Sequence, residues 1–133
     1  MSEKTILAVD DDEDILNTLS VVIRSADLEF IGVNSGQKCL EALGETTPCV
    51  IILDVEMPEM DGFETLEKIR EDFPDLPSTV AFLTAKKDFE MLERALKLGS
   101  DTFITKPFNP LNLQERIIEM TKEIKPFRHV QPA

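Results

Sequence analysis

One pattern repeats five times along this chain: a short, almost wholly apolar run, then a stretch whose apolar residues recur at helical spacing. The runs are Thr5–Val9, Phe30–Val33, Cys49–Leu53, Thr79–Leu83 and Thr102–Thr105. A strand with one face in water alternates apolar and polar side chains, whereas Val50-Ile51-Ile52-Leu53 is apolar on both faces. Helices on both sides of a parallel sheet supply that cover. The pattern therefore predicts an α/β fold with a doubly wound, five-stranded parallel sheet.

The intervening stretches support this reading. Ile15, Leu16, Leu19, Val22 and Ile23 form one apolar stripe on the first helix. Ser35 is placed to cap a second helix that runs through Leu43 and stops at Gly44. Gly99 ends another, running from about Asp88 to Leu98, in which Met91, Leu92, Ala95 and Leu98 stand among charges and read mostly as core. Asn109-Pro110 reads as a cap followed by proline at the first helical position, with Leu113, Ile117, Ile118 and Met120 facing inward.

At 133 residues the chain has the size of one domain, and residues 1–123 account for all five repeats. Residues 124–133 hold two prolines and no apolar periodicity, and read as a tail or a truncated linker. His129, the only histidine, lies there, far along the chain from the other polar residues of interest. No apolar stretch has the length of a membrane span and the N-terminus lacks a signal-peptide layout, so a cytoplasmic location without membrane attachment is expected. Cys39 and Cys49 read as reduced, buried small hydrophobes. A net charge of −12 opposes a phosphate backbone, so no direct nucleic-acid binding is expected.

Open parallel sheets bind ligands beyond the carboxyl ends of their strands. There the first strand ends in Asp10-Asp11, the third in Asp54, the fourth in Thr84-Ala85 and the fifth in Lys106-Pro107-Phe108. Three carboxylates, a hydroxyl and an ammonium are thus brought to one edge. Carboxylates in that number repel one another unless a cation relieves them, and oxygen-only donors favour a hard one such as Mg²⁺. Asp54 at the centre has the chemistry of a nucleophile toward a phosphoryl group, with Thr84 and Lys106 suited to stabilise the charge on its oxygens. Asp12, Glu13 and Asp14 fit better as caps and first-turn acids of the first helix.

With these residues in place, the chain resembles the receiver domains of two-component response regulators, over about residues 4–123. The resemblance is carried by the acid pair in "LAVDDD", by "LDVEMPEMDG" at Leu53–Gly62, by "LTA" at Leu83–Ala85 and by "TKPF" at Thr105–Phe108. It implies a flavodoxin-like sheet in the order 2-1-3-4-5 and Asp54 as phospho-acceptor. It implies Mg²⁺, or Mn²⁺ in its stead, held by Asp10, Asp11, Asp54 and the backbone carbonyl of Glu56. It further implies Thr84 and Lys106 on the phosphoryl oxygens, and a cis Lys106-Pro107 peptide. The donor in such systems is a phosphohistidine on a sensor histidine kinase or a histidine phosphotransfer protein. Catalysis is then confined to the chain's own aspartyl phosphorylation and dephosphorylation.

The same resemblance makes Thr84 and Phe103 a switch acting on the face of helix four, strand five and helix five, for an unidentified output partner. A plain core phenylalanine is the competing reading of Phe103. Glu56 and Lys86 either pair across the mouth of the site and modulate phosphate lifetime, or are simply solvated. Arg116 matches a position used in charged-pair dimers of this family, but Asn112 replaces the usual Glu, so the expectation is a monomer or a weak, phosphorylation-dependent dimer.

Three other readings compete for these residues. Asp10, Asp12 and Asp14 open like an EF-hand loop, but Ile15 and Val21 stand where Gly and Glu belong. A haloacid-dehalogenase-like phosphatase would make Asp10 the nucleophile, yet the Gly and Thr expected after Asp12 are missing and no room remains for a cap domain. A receiver-like interaction module that no longer cycles phosphate would not need the five pocket side chains that are present.

Overall fold

The computed structural model describes residues 4–85 and 89–122. Strands and helices alternate as β1 (Thr5–Val9), α1 (Glu13–Arg24), β2 (Glu29–Val33), α2 (Gly36–Leu43), β3 (Val50–Asp54), α3 (Gly62–Asp72), β4 (Thr79–Thr84), α4 (Phe89–Lys97), β5 (Thr102–Thr105) and α5 (Pro110–Thr121). All pairings are parallel, and the sheet runs β2-β1-β3-β4-β5. This is the doubly wound, flavodoxin-like sheet in the order 2-1-3-4-5.

The two faces divide the core by strand parity. Leu7, Val9, Ile51, Leu53, Val80 and Phe82 pack with Cys39 and Leu43 of α2, Phe63, Leu66 and Ile69 of α3, and Ala95 of α4. Ile6, Ala8, Val50, Ile52, Ala81 and Leu83 pack with Leu16, Leu19, Val22 and Ile23 of α1 and with Leu113, Ile117 and Met120 of α5. The central strands β3 and β4 are buried at every position, which accounts for their unbroken apolar runs. Edge strand β2 is not: Glu29 and Gly32 are exposed.

Local signals place most helix starts. Asp12 caps α1 by accepting from Asp14 N, with Glu13 and Asp14 in the first turn. Ser35 accepts from Lys38 N, and Asn109 accepts from Leu111 N and Asn112 N ahead of Pro110. Helix ends differ in detail. Gly99 has φ +84, the left-handed value expected of a stop, but Gly44 has φ −72 and closes α2 with right-handed geometry open to any residue.

The packing bears out the inward sides of α1 and α4 with burial graded along them, as Ile15, Met91 and Leu98 pack partly against the core. Ile15 and Ile118 are half-buried, and of the α4 set only Ala95 is fully buried, with Met91, Leu92 and Leu98 half-covered. Cys39 is buried as expected, and burial pushes its thiol up to about 12. Cys49 is half-buried and its thiol meets Thr5 O at 3.4 Å. Among the described residues, no helix is long and apolar enough to cross a membrane.

Candidate functional site

The carboxyl edge of the sheet gathers the polar residues because parallel pairing brings all strand ends to one side. Asp10 follows β1 directly and donates its N–H to Val33 O at 3.1 Å. Asp54 closes β3 opposite Leu83, and Thr84 closes β4 opposite Thr105. Lys106 follows β5, its N–H donating to Thr84 O at 2.8 Å, and the Lys106-Pro107 peptide is cis.

Between these ends the side chains form a compact ionic cluster. Lys106 Nζ lies 3.0 Å from Asp10 Oδ2 and 3.2 Å from Asp54 Oδ1. Asp10 Oδ1 accepts the N–H of Asp12 at 2.9 Å. Asp10 is 0% exposed and Asp54 3%, whereas Asp11, the next residue along, faces solvent. Each of the three offers a carboxylate oxygen, and these oxygens lie within 4.8 Å of one another.

The electrostatics follow from two buried acids sharing one ammonium. Burial, and then the neighbouring charge of Asp10, pushes the Asp54 carboxyl up to about 6, against the pull of Lys106. Burial likewise raises Asp10, opposed by the Asp12 N–H and by Lys106. For Lys106, burial disfavours the cation, but the pull of Asp10 and Asp54 outweighs it and its pKa rises.

A hard cation fits this cluster on the structure's own terms. The donors are all oxygens, and buried Asp10 Oδ2 meets Lys106 at ion-pair distance without a hydrogen bond of proper geometry. The backbone carbonyl of Glu56, counted as a ligand from the sequence, belongs to the exposed residue just after buried Val55.

The loop leaving β3 is closed locally. Gly62 N–H donates to Val55 O at 2.8 Å, and Asp61 forms a capping box with Glu64 at the start of α3. In the structure Glu59 takes the left-handed conformation, at φ 68, and Gly62 is the first residue of α3, pressed against the end of β3.

Of the residues beside and beyond the cluster, Thr84, Phe103 and Arg116 are candidates from the sequence, whereas Arg70 and Arg94 carry no signal in it. Thr84 is 2% exposed, and its hydroxyl donates to Met91 Sδ of α4 at 3.6 Å. Arg94, one turn further on, places its guanidinium carbon 4.4 Å above the Phe63 ring. Arg70 of α3 reaches the far end of α4, donating from Nε to Leu98 O at 3.2 Å and from Nη2 to Gly99 O at 2.8 Å. Phe103 is half-buried, its ring centroid 6.1 Å from that of Phe82. Arg116 donates to Thr102 Oγ1 within the same chain at 2.7 Å. Lys86 and His129 lie outside the described residues, and with Lys86 goes the pairing to Glu56.

Known proteins share this sequence pattern and fold. The family model for the response regulator receiver domain matches residues 6–118. The chain is 35% identical over 128 residues to a protein-glutamate methylesterase/protein-glutamine glutaminase of Trichodesmium erythraeum, covering 95% of this chain and 36% of that protein. It is 32% identical over 114 residues to the alkaline phosphatase synthesis transcriptional regulatory protein PhoP of Bacillus subtilis, covering 86% and 47%. The chain therefore spans less than half the length of these two relatives. Among solved structures, chemotaxis protein CheY4 of Vibrio cholerae is similar with a TM-score of 0.84 at 28% identity, over 90% of this chain and 99% of that one. A CheY-like receiver domain protein of Methanospirillum hungatei matches with 0.83 at 29%, over 90% and 94%.

Proposed function

This chain belongs to the response regulator receiver domain family, and from that premise we propose that Asp54 accepts a phosphoryl group from a phosphohistidine donor in a Mg²⁺-dependent transfer. The observation that carries the reading is the cluster itself: a buried carboxylate at the end of the central strand, with a second buried acid and an ammonium on it. The unit responsible spans residues 1–123, with 124–133 a tail or linker.

In the transfer an Asp54 carboxylate oxygen attacks phosphorus as the P–N bond to the donor histidine breaks, and the imidazole nitrogen takes up a proton. With its carboxyl at about 6, Asp54 is mostly ionised near neutral pH and so nucleophilic. Asp10, Asp11, Asp54 and the Glu56 carbonyl would hold Mg²⁺, which when bound would supply Lewis-acid neutralisation of the phosphoryl oxygens. Lys106 already stands on Asp54 and is placed to follow the charge as it moves to the new phosphoryl group. Thr84, at the adjacent strand end, contributes its hydroxyl to a phosphoryl oxygen. Its movement and that of Phe103 then alter the α4-β5-α5 face for an output partner.

The test is incubation with acetyl phosphate and Mg²⁺, followed by intact-mass measurement. One phosphoryl adduct is expected on the wild type, and none without Mg²⁺ or in Asp54→Asn. No adduct on the wild type overturns the function, and an adduct that persists in Asp54→Asn moves the nucleophile elsewhere.

A further inference from the structure

We propose that Met91 is a positioning residue for Thr84: its thioether holds the threonine hydroxyl on the α4 side, and release of that contact passes occupancy of Asp54 to the first turn of α4. The inference rests on the reading above in taking Thr84 as a phosphoryl partner. What it adds is the residue that restrains the hydroxyl.

A threonine hydroxyl has a single proton to donate. In this structure it is directed to Met91 Sδ at 3.6 Å, so donation to a phosphoryl oxygen on Asp54 requires that contact to be surrendered. Thioether sulfur is a weak acceptor, and a phosphoryl oxygen is a charged and much stronger one. The competition therefore runs toward the phosphoryl group once it is present. Before that, Met91 adds a modest restraint that the incoming group must overcome.

Where the release is felt follows from how α4 is held. Its carboxyl end is fastened to α3 by the two Arg70 donations to Leu98 O and Gly99 O, and fully buried Ala95 seats the helix on the core. Met91 stands in the first turn, half-buried. With the carboxyl end fastened by Arg70, loss of the Met91 contact removes a hold on the first turn while the last stays in place. Arg94, stacked at 4.4 Å on Phe63, lies between the two and moves with the helix. Phe63 in turn packs on Phe82 at 5.1 Å, so the same motion bears on the ring beside Phe103.

The experiment is a double-mutant cycle read by Mg²⁺-dependent beryllofluoride binding, followed in the ¹³C-methyl signals of the methionines. Met91→Leu keeps the apolar bulk and removes the acceptor. It is expected to tighten beryllofluoride binding about threefold in the wild-type background, a hydrogen-bond-sized effect. Thr84→Val removes the hydroxyl, and Met91→Leu is expected to change nothing further in that background. In the wild type the Met91 methyl signal shifts on beryllofluoride binding, and in Thr84→Val the free protein already shows the released position. Equal effects of Met91→Leu with and without the hydroxyl, or no effect in either, overturn the role of Met91. Absence of Mg²⁺-dependent binding by the wild type overturns the phosphoryl-acceptor reading itself, and this inference with it.

Discussion

Asp54 illustrates how one residue trades stability for chemistry. Its carboxyl is raised from 3.8 to about 6, first by burial and then by the charge of Asp10. An acid with a higher pKa folded than unfolded binds its proton more tightly in the fold, so its contribution favours folding at low pH and is lost as pH rises from about 4 to about 6. In the ionised form it costs the metal-free fold stability. Asp54→Asn is accordingly expected to stabilise the metal-free protein near pH 7 by roughly 2 kcal/mol and to flatten the pH dependence between those limits. Urea denaturation in a chelator, near pH 4 and near pH 7, checks both. A variant no more stable than wild type near pH 7 would show that Lys106 fully compensates the buried charge.

At the scale of elements, two glycines that look alike in the sequence do different work. A methyl group on Gly62 would collide with Asp54 O and come within 2.9 Å of Val55 Cα, backbone atoms that cannot yield without shifting the strand that carries Asp54. Gly62→Ala is expected to cost about 2–3 kcal/mol and to depress phosphorylation of Asp54. Gly44, at φ −72, needs no glycine, and Gly44→Ala is expected to change stability by less than about 0.5 kcal/mol. Urea midpoints of the two variants make the comparison, and similar losses would refute the distinction. In the sequence Gly44 reads as a helix stop and Gly62 only as the close of the "LDVEMPEMDG" motif. Contact of Gly62 with β3 depends on how α3 is packed, and no local pattern reports that. Ser35 and Asn109-Pro110 were legible as caps because a cap and its recipients are neighbours in the chain.

For the molecule as a whole, the proposed ion site would link binding to folding through the acidic cluster. A ligand that binds only the folded chain stabilises it by RT ln(1 + [L]/Kd), about 1.4 kcal/mol at a tenfold excess over Kd. Mg²⁺ is expected to raise the unfolding midpoint accordingly, and Asp11→Ala to abolish the gain. Thermal unfolding with and without Mg²⁺ tests this, and an undiminished gain in Asp11→Ala would remove Asp11 from the ligand set. The chain by itself determined the order of elements, the parallel sheet and which side chains reach its carboxyl edge, because strand burial and helical spacing are written in consecutive residues. Only the tertiary structure decided that Asp10 is buried while Asp11 is exposed, and that Lys106 bridges Asp10 to Asp54. It alone also decided that the Thr84 hydroxyl is turned to Met91. The physical reason is that these contacts join separate elements, as Lys106 and Asp54 do across 52 positions, and their geometry is set by packing rather than by sequence spacing.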